Sequence, residues 1–538
     1  MAMGGRVDPS DDRRGSAGAA DGVADDTERL RQQSRDANVR QIRGSNLLLV
    51  GRVVGLGLDF LTQVLLVRYL TKDDFGAFAL ALSIVTIGTT VCLLGLERTL
   101  GRFTPIYEEQ GDYGRLWGTV ATVFTTVVSL GLLVILGLYV AQGVVGAVVD
   151  DRLVMSILLV LIVLAPLQAL DSLIVAMFAT FGSPRSIFVR RYLLAPLLQL
   201  GVVVALMATG GDVLTLAVGY VGAMAFGIVL YLGLLVRLLD RRGLLARLER
   251  KTFRAPIREV FGFSLPLLAS DLVVVLRGAV TVLLLGLLTT TADVAEYRAV
   301  LPIAVQMLFV STSFRLIFTP GAARLFARQD DVGLNDLYWR TAVWIALLTF
   351  PVFLVVVSTA EPLAVFLFGQ PYAGTGVILA ILAVGHYVNG ITGFNSLTLR
   401  VFGRVRYLMI VDLLTAALSV LLTVILIVQA GILGAAIGTS LSLLLQQVFY
   451  QWGLHRETTV AALDRRYLPV YATIVAATVV TVAVTAVTQP PLLVGMLFAG
   501  LVSAIVLGWH GGSLGLLEVY PALGRVPILR RVLGRSPT

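Results

Sequence analysis

The chain has 538 residues, of which 57% are hydrophobic and 14% charged, with a mean hydropathy of +0.88. A soluble domain is nearer a quarter charged, so the composition excludes an ordinary soluble protein and points to an all-α polytopic membrane protein. The net charge of +9 does not imply a nucleic-acid partner, because the basic residues recur in short clusters between apolar runs rather than on one element. That pattern suits anionic lipid headgroups and the setting of topology.

In chain order, residues 1–43 are polar, rich in Gly, Ala, Asp and Arg, and lack an apolar core. They are expected to form a disordered cytoplasmic tail rather than a signal peptide or anchor. Crossing the hydrocarbon core takes about twenty apolar residues. Fourteen runs qualify, at about 46–67, 76–97, 116–140, 154–179, 189–208, 213–237, 262–288, 297–318, 340–359, 375–397, 408–428, 431–452, 468–487 and 491–509. Tight loops are required at Ala430-Gly431 and Gln489-Pro490-Pro491. The single cysteine, Cys92, lies inside the second run, which leaves no disulfide framework.

Arginine sets the sidedness. With the N-terminus inside, the inner segments hold about 32 Arg and Lys, eight of them between Arg237 and Arg258, while the outer loops hold Arg68, Lys72, Arg152 and Arg298. The positive-inside bias therefore predicts a multi-pass protein of the cell membrane with both termini cytoplasmic.

Phe103-Thr104-Pro105 and Phe318-Thr319-Pro320 stand about 215 residues apart, each after a long apolar run. Proline is expected to close span 2 and span 8 at the inner face. Phe181-Gly182 and Phe402-Gly403 repeat at nearly the same offset, as do the starts of spans 1 and 7 at Gly44-Ser45-Asn46-Leu47 and Phe263-Ser264-Leu265-Pro266. The spacing predicts two six-helix lobes, 44–250 and 251–455, related as parallel repeats with a binding site between them. Residues 456–538 would add two helices and a basic tail.

Charges within a membrane are costly and mark functional sites. Span 1 carries Arg52 and Asp59 on one face, with Gln63 a turn further on, and span 7 carries Asp271 and Arg277. At the repeat offset the two spans read in opposite charge order, so pairs Arg52–Asp271 and Asp59–Arg277 are expected to hold one closed state. An anionic substrate would compete for the arginines, whose forked guanidinium suits phosphate oxygens. Asp171 is a candidate cation or proton site, with a helix brace as the alternative. His386, Asn389 and Asn395 are candidate cavity-lining polar groups, and Glu97 and Arg98 read most simply as a pair at the inner surface. No Gly-rich phosphate loop, metal-spaced His/Cys cluster or nucleophile elbow occurs in the sequence, and no cofactor is expected. Energy would come from an ion gradient, the membrane potential or the substrate's own gradient.

The segments "LTKDDFGAFAL" (Leu70–Leu80), "RFTPIYEEQGD" (Arg102–Asp112), "FLFGQPYAGTGVILAILAVGHYVNGITGFNSL" (Phe366–Leu397) and "AGILGAAIGTSLSLL" (Ala430–Leu444) occur in this order across the fourteen runs. Together they resemble the polysaccharide-flippase branch of the multidrug/oligosaccharidyl-lipid/polysaccharide (MOP) exporter superfamily, over about residues 44–455. The resemblance implies a V-shaped cleft lined by spans 1, 2, 7 and 8, alternating access by rocking of the lobes, and a polyprenyl-linked sugar phosphate as cargo. It implies membrane lipids and glycosyltransferases, a polymerase or an oligosaccharyltransferase as partners. It also implies phosphate-binding roles for Arg52 in "GRVVGLGLDF" and Arg298 in "EYRAVLP". The pattern's second span-1 arginine is Leu58 here, which argues against lipid II and for another sugar-linked lipid.

Two other function classes compete. A cation-coupled multidrug antiporter of the same superfamily would be expected to show an acidic cleft, whereas the deep charges of spans 1 and 7 balance. A membrane glycosyltransferase, polymerase or ligase would be expected to offer a sizeable catalytic outer loop, and apart from the segment near Glu361 to Thr375 the outer loops here are short.

Overall fold

The structure, a computed structural model, describes residues 50–149, 151–182, 188–248, 254–392 and 394–511, and within its helices omits the side chains of residues 148, 269, 270, 273, 274, 276, 277, 316 and 317. The expected N-terminal tail and the segment after residue 511 lie outside the described residues. Everything described is helical or connecting turn. The helices are α1 (Val50–Tyr69), α2 (Lys72–Leu93), α3 (Leu96–Glu109), α4 (Tyr113–Val149), α5 (Arg152–Leu161), α6 (Leu164–Phe181), α7 (Ala195–Thr209), α8 (Val213–Arg241), α9 (Ile257–Leu288), α10 (Thr291–Val305), α11 (Leu308–Ala327), α12 (Asp331–Ser358), α13 (Ala360–Phe368), α14 (Gly376–Thr392), α15 (Phe394–Val401), α16 (Val405–Glu457), α17 (Leu468–Thr488) and α18 (Leu492–Gly511). A π-helical turn, Phe188–Leu194, leads into α7.

Polar residues start the helices where the sequence leaves the apolar runs. Thr71 caps α2, Asp151 caps α5, Asp212 caps α8 and Asp330 caps α12, each accepting a hydrogen bond from the first-turn backbone. Thr290 and Asp293 form a reciprocal capping box on α10. In the Asp212 cap, the bonds from Thr215 hold the carboxyl below its ordinary value.

By length and composition, eleven of the described helices can cross a membrane, or twelve with the bent pair α10–α11 taken as one span, against the fourteen expected. Two features account for the difference. The helix α16, 53 residues long, counts once although it leaves helical geometry at Ala430 and Gly431 (φ +55°) and doubles back. A Cβ on Gly434 would lie 1.8 Å from the Leu426 carbonyl oxygen, so only glycine allows the two arms so close. In α9 the omitted side chains leave only Gly278–Leu288 in the count, as a shorter apolar helix.

The Phe-Thr-Pro segments do not close their helices, which corrects the expectation. Span 2 breaks earlier, at Leu94 and Gly95, both at positive φ (49° and 69°), then resumes as α3 through Pro105 to Glu109. Pro320 likewise sits inside α11. A proline forfeits one bond to the carbonyl four residues back, and for Pro105 that carbonyl belongs to the exposed Gly101. The two segments share a local form: Thr104 Oγ1 donates to the Leu100 carbonyl (2.5 Å) and Thr319 Oγ1 to the Arg315 carbonyl (2.9 Å).

Helix α2 packs on α4, α5 and α6 in the first half of the chain and on α9 and α10 in the second. Helix α12 is buried beneath α11, α14, α17 and α18. The last two helices thus cover a core helix rather than standing apart, and Trp339 Nε1 ties α12 to the Ala461 carbonyl (3.2 Å).

Candidate functional site: a polar cleft between the halves

The first half of the chain meets the second closely where α1 gives way to α2 and α9 to α10. Lys72 pairs with Glu296, Thr291 Oγ1 bonds Asp73 Oδ1 (2.9 Å), and Arg68 Nε donates to the Leu367 carbonyl (2.7 Å) with its Nη2 on that of Phe366. Between these contacts α2 touches the start of α10 backbone to backbone, where a Cβ on Gly76 would lie 1.8 Å from the Thr291 carbonyl oxygen.

Beneath this seal lies a cavity of about 380 Å³ lined by Asp59 and Gln63 of α1, Arg191 of the π-turn, Gln199 of α7, Tyr220 of α8 and Arg298 of α10. The extra residue in the π-turn re-aims successive side chains relative to an α-helix, and such turns recur at functional sites. Here Arg190 and Arg191 both line a second cavity of about 430 Å³, with Glu97, Arg98 and Asp171. Arg191 and Ala195 border both cavities.

A proline makes the tie between the halves. Pro302 has no N–H to offer the Arg298 carbonyl four residues back. That oxygen instead accepts Gln63 Nε2 at 3.0 Å from α1, and α10 then bends by 43° into α11. Pro302→Ala should return the carbonyl to its own helix and leave Gln63 without its acceptor. The expected outcome is a thermal stability within about 1 kcal/mol of wild type but a transport rate several-fold lower, read by a melting curve beside a proteoliposome assay.

The expected site residues divide. Asp59, Gln63 and Arg298 come together in the cavity. Asp271 pairs with Arg98 (2.6 Å) rather than with Arg52, and Arg98 stands at the same time within the electrostatic field of the neighbouring Glu97. The break at Leu94-Gly95 is the cause, since it brings α3 against α9, with Gly95 close to the Ser264 carbonyl. The Arg277 side chain lies outside the described residues. Asp171 is salt-bridged by Arg190, which is 5% exposed and whose Cζ lies 3.4 Å from the Tyr231 ring centroid, so a fixed cation already neutralises it. His386 and Asn389 do not line the cavity. His386 is buried, Asn389 Oδ1 accepts from Gln447 Nε2 (2.5 Å), and Asn395 Nδ2 reaches the Gln447 carbonyl (3.5 Å), so these groups sit in the contact of α14 and α15 with α16. Arg52 is exposed in the first turn of α1.

Arg191, Gln199 and Tyr220 are site residues that sequence reasoning missed. The signal available was the Arg190-Arg191 pair in "IFVRRYLL", which reads as an inner-face flank until the π-turn turns it inward.

Chemically, the two neighbouring cavities carry Arg191 and Arg298 together with Asp59 and Glu97, beside the pairs Arg190–Asp171 and Arg98–Asp271. Among the described residues no group of three or more His, Cys, Asp or Glu is placed to hold a metal. The first cavity thus sets two arginines and one carboxylate around a single space, a charge set that suits an anionic ligand.

The fold is that of known membrane transporters. The lipid II flippase MurJ in an inward closed conformation superposes with a TM-score of 0.64 at 14% identity, covering 87% of this chain and 98% of that one. An inward-facing multidrug resistance MATE family transporter of the MOP superfamily gives 0.63 at 15% identity, covering 75% and 94%. No curated protein matches the sequence. The family described as "Polysaccharide biosynthesis protein" matches residues 65–377, more than half of the chain, and this multi-pass membrane protein of MOP-type fold belongs to that family.

Proposed function

We propose that the protein is a flippase that moves a polyprenyl (undecaprenyl or dolichyl) phosphate-linked sugar or oligosaccharide from the cytoplasmic to the outer leaflet of the cell membrane, for polysaccharide or glycoprotein assembly. The observation that carries this reading is that Arg191 and Arg298 line one cavity together with a single carboxylate, that of Asp59. The family description and the flippase-like fold agree with it. The halves 44–250 and 251–455 rock about the cleft while the phosphate passes from Arg52 near the inner mouth to Arg298 beneath the outer seal, and the lipid tail stays in the bilayer. Arg277 adds a further phosphate contact. Asp59 accepts the arginines, or a coupling cation, when phosphate has left, and Arg52–Asp271 with Asp59–Arg277 are the pairs of the opposite state. The chain itself performs no bond chemistry.

The test is leaflet translocation of a labelled polyprenyl-phosphate sugar in proteoliposomes, wild type beside Arg298→Ala, with a cationic dye as competitor. A charge-assisted hydrogen bond contributes about 1.5–3 kcal/mol, so Arg298→Ala should slow translocation by at least about tenfold while the dye has no effect. Ion-coupled dye transport without lipid movement would overturn the reading in favour of a cation antiporter centred on Asp59.

A further inference from the structure

A third cavity, of about 250 Å³, adjoins the first within the first half of the chain, and the two share Leu82, Ala195, Gln199 and Tyr220 as a common border. Tyr220 is held there by Phe78, edge-on with the ring centroids 5.3 Å apart. The chamber is apolar over most of its wall, Leu198 and Met224 included, and Gln168 and Gln199 add uncharged amides. Gln168 Oε1 accepts from Thr89 Oγ1 (3.0 Å), which leaves its NH2 to donate. Among the described residues of the wall Arg190 alone is charged, and Asp171 already neutralises it. Gly227 keeps one side open, since a Cβ there would meet nothing nearer than Leu198 Cδ1 at 3.8 Å and Arg190 Nη1 at 3.9 Å.

Apolar walls with a few fixed hydrogen-bonding groups suit a ligand that carries both C–H faces and hydroxyls. A neutral pyranose is such a ligand, because its C–H face packs on apolar side chains while its hydroxyls pair with amides. A uronic acid is not. Its carboxylate would enter a space whose single cation is taken, so it would either lie unpaired or strand Asp171, and both are costly.

We propose that this side chamber holds the sugar next to the phosphate and selects a neutral pyranose over a uronic acid. The proposal rests on the flippase reading and names the class of the cargo's first sugar. The phosphate stays with Arg191 and Arg298 in the first cavity, and the sugar turns past Tyr220 into the chamber, against Gln168 and Gln199. A cargo whose first sugar is anionic loses that hold.

The test uses the full chain in nanodiscs of zwitterionic lipid, titrated with three phosphodiesters: citronellyl-phospho-glucose, citronellyl-phospho-glucuronic acid and citronellyl methyl phosphate, which has no sugar. Wild type should bind the glucose probe about tenfold more tightly than either of the others. Gly227→Leu, which fills the chamber, should bind the glucose probe no more tightly than the methyl diester and leave the affinity for the latter unchanged. Gln168→Leu, which removes one hydrogen-bonding group and little volume, should lose about three- to fivefold in glucose-probe affinity alone. Variants that keep the wild-type advantage of the glucose probe would overturn the chamber and leave the flippase reading standing. Gly227→Leu weakening all three probes alike would overturn the sugar assignment, and a wild type that binds glucose and glucuronate probes equally would overturn the selection. A wild type that binds none of the three but binds a cationic dye would overturn the flippase reading itself.

Discussion

Gly76→Leu should hold the outer side of the cleft open and abolish transport. A Cβ at this position would lie 1.8 Å from the Thr291 carbonyl oxygen and 2.6 Å from its carbon, far inside any non-bonded contact. Neither partner is the end of a flexible side chain, so α2 and α10 must separate. The separation pulls on the Lys72–Glu296 pair, the Asp73–Thr291 bond and the Gln63 bond to the Arg298 carbonyl together. Alternating access needs the closed outer state to be populated, and a penalty of about 3 kcal/mol on that state lowers its population by roughly two orders of magnitude. Two measurements check this: leaflet translocation, and the distance between spin labels on the outer ends of α1 and α13. The distance should lengthen in Gly76→Leu, with Gly76→Ala between it and wild type. Unchanged transport at an unchanged distance would mean that this contact is no seal.

Arg190→Leu should be the most destabilising single change within the first half. Arg190 is 5% exposed, pairs with Asp171 and lies over the Tyr231 ring. Its loss strands a part-buried carboxylate, and breaking a buried pair from one side typically costs about 3–5 kcal/mol, with the cation–π contact adding to the loss. Replacing both members by apolar groups leaves no stranded charge, so Arg190→Leu/Asp171→Leu should recover the greater part of the stability. Thermal unfolding in detergent across the double-mutant cycle reads the effect. A double variant as unstable as Arg190→Leu alone would show that Arg190 acts through packing in the π-turn rather than through Asp171.

The local rules that failed did so for physical reasons. Proline after Phe-Thr reads locally as a stop, but Pro105 forfeits only a bond to an exposed carbonyl, and α3 continues. The stop that does occur, at Leu94-Gly95, has a leucine at positive φ that no local propensity favours. It is sustained by the approach of Gly95 to the Ser264 carbonyl, about 170 residues away. Arg98 consequently reaches Asp271, a partner that sequence position alone could not assign. Arg191 was hidden in a flank that looked like topology, because one π-turn separates a residue at the membrane surface from one in a cavity.

By itself the sequence determined that the chain is helical and membrane-spanning, where most spans run, and that α1 carries its polar groups on one face. These are properties of consecutive residues. Each apolar run sets its own transfer free energy, and helical periodicity decides which of its side chains share a face. Tertiary structure alone decided which charges neutralise one another and which remain available to an anion. Asp171 went to Arg190 and Asp271 to Arg98, while Asp59, Arg191 and Arg298 were brought to one cavity. Coulomb energy inside a membrane depends on separations of a few ångströms between residues on different helices, 19 positions apart for Asp171 and Arg190 and 173 for Arg98 and Asp271, and those separations exist only once the helices have packed.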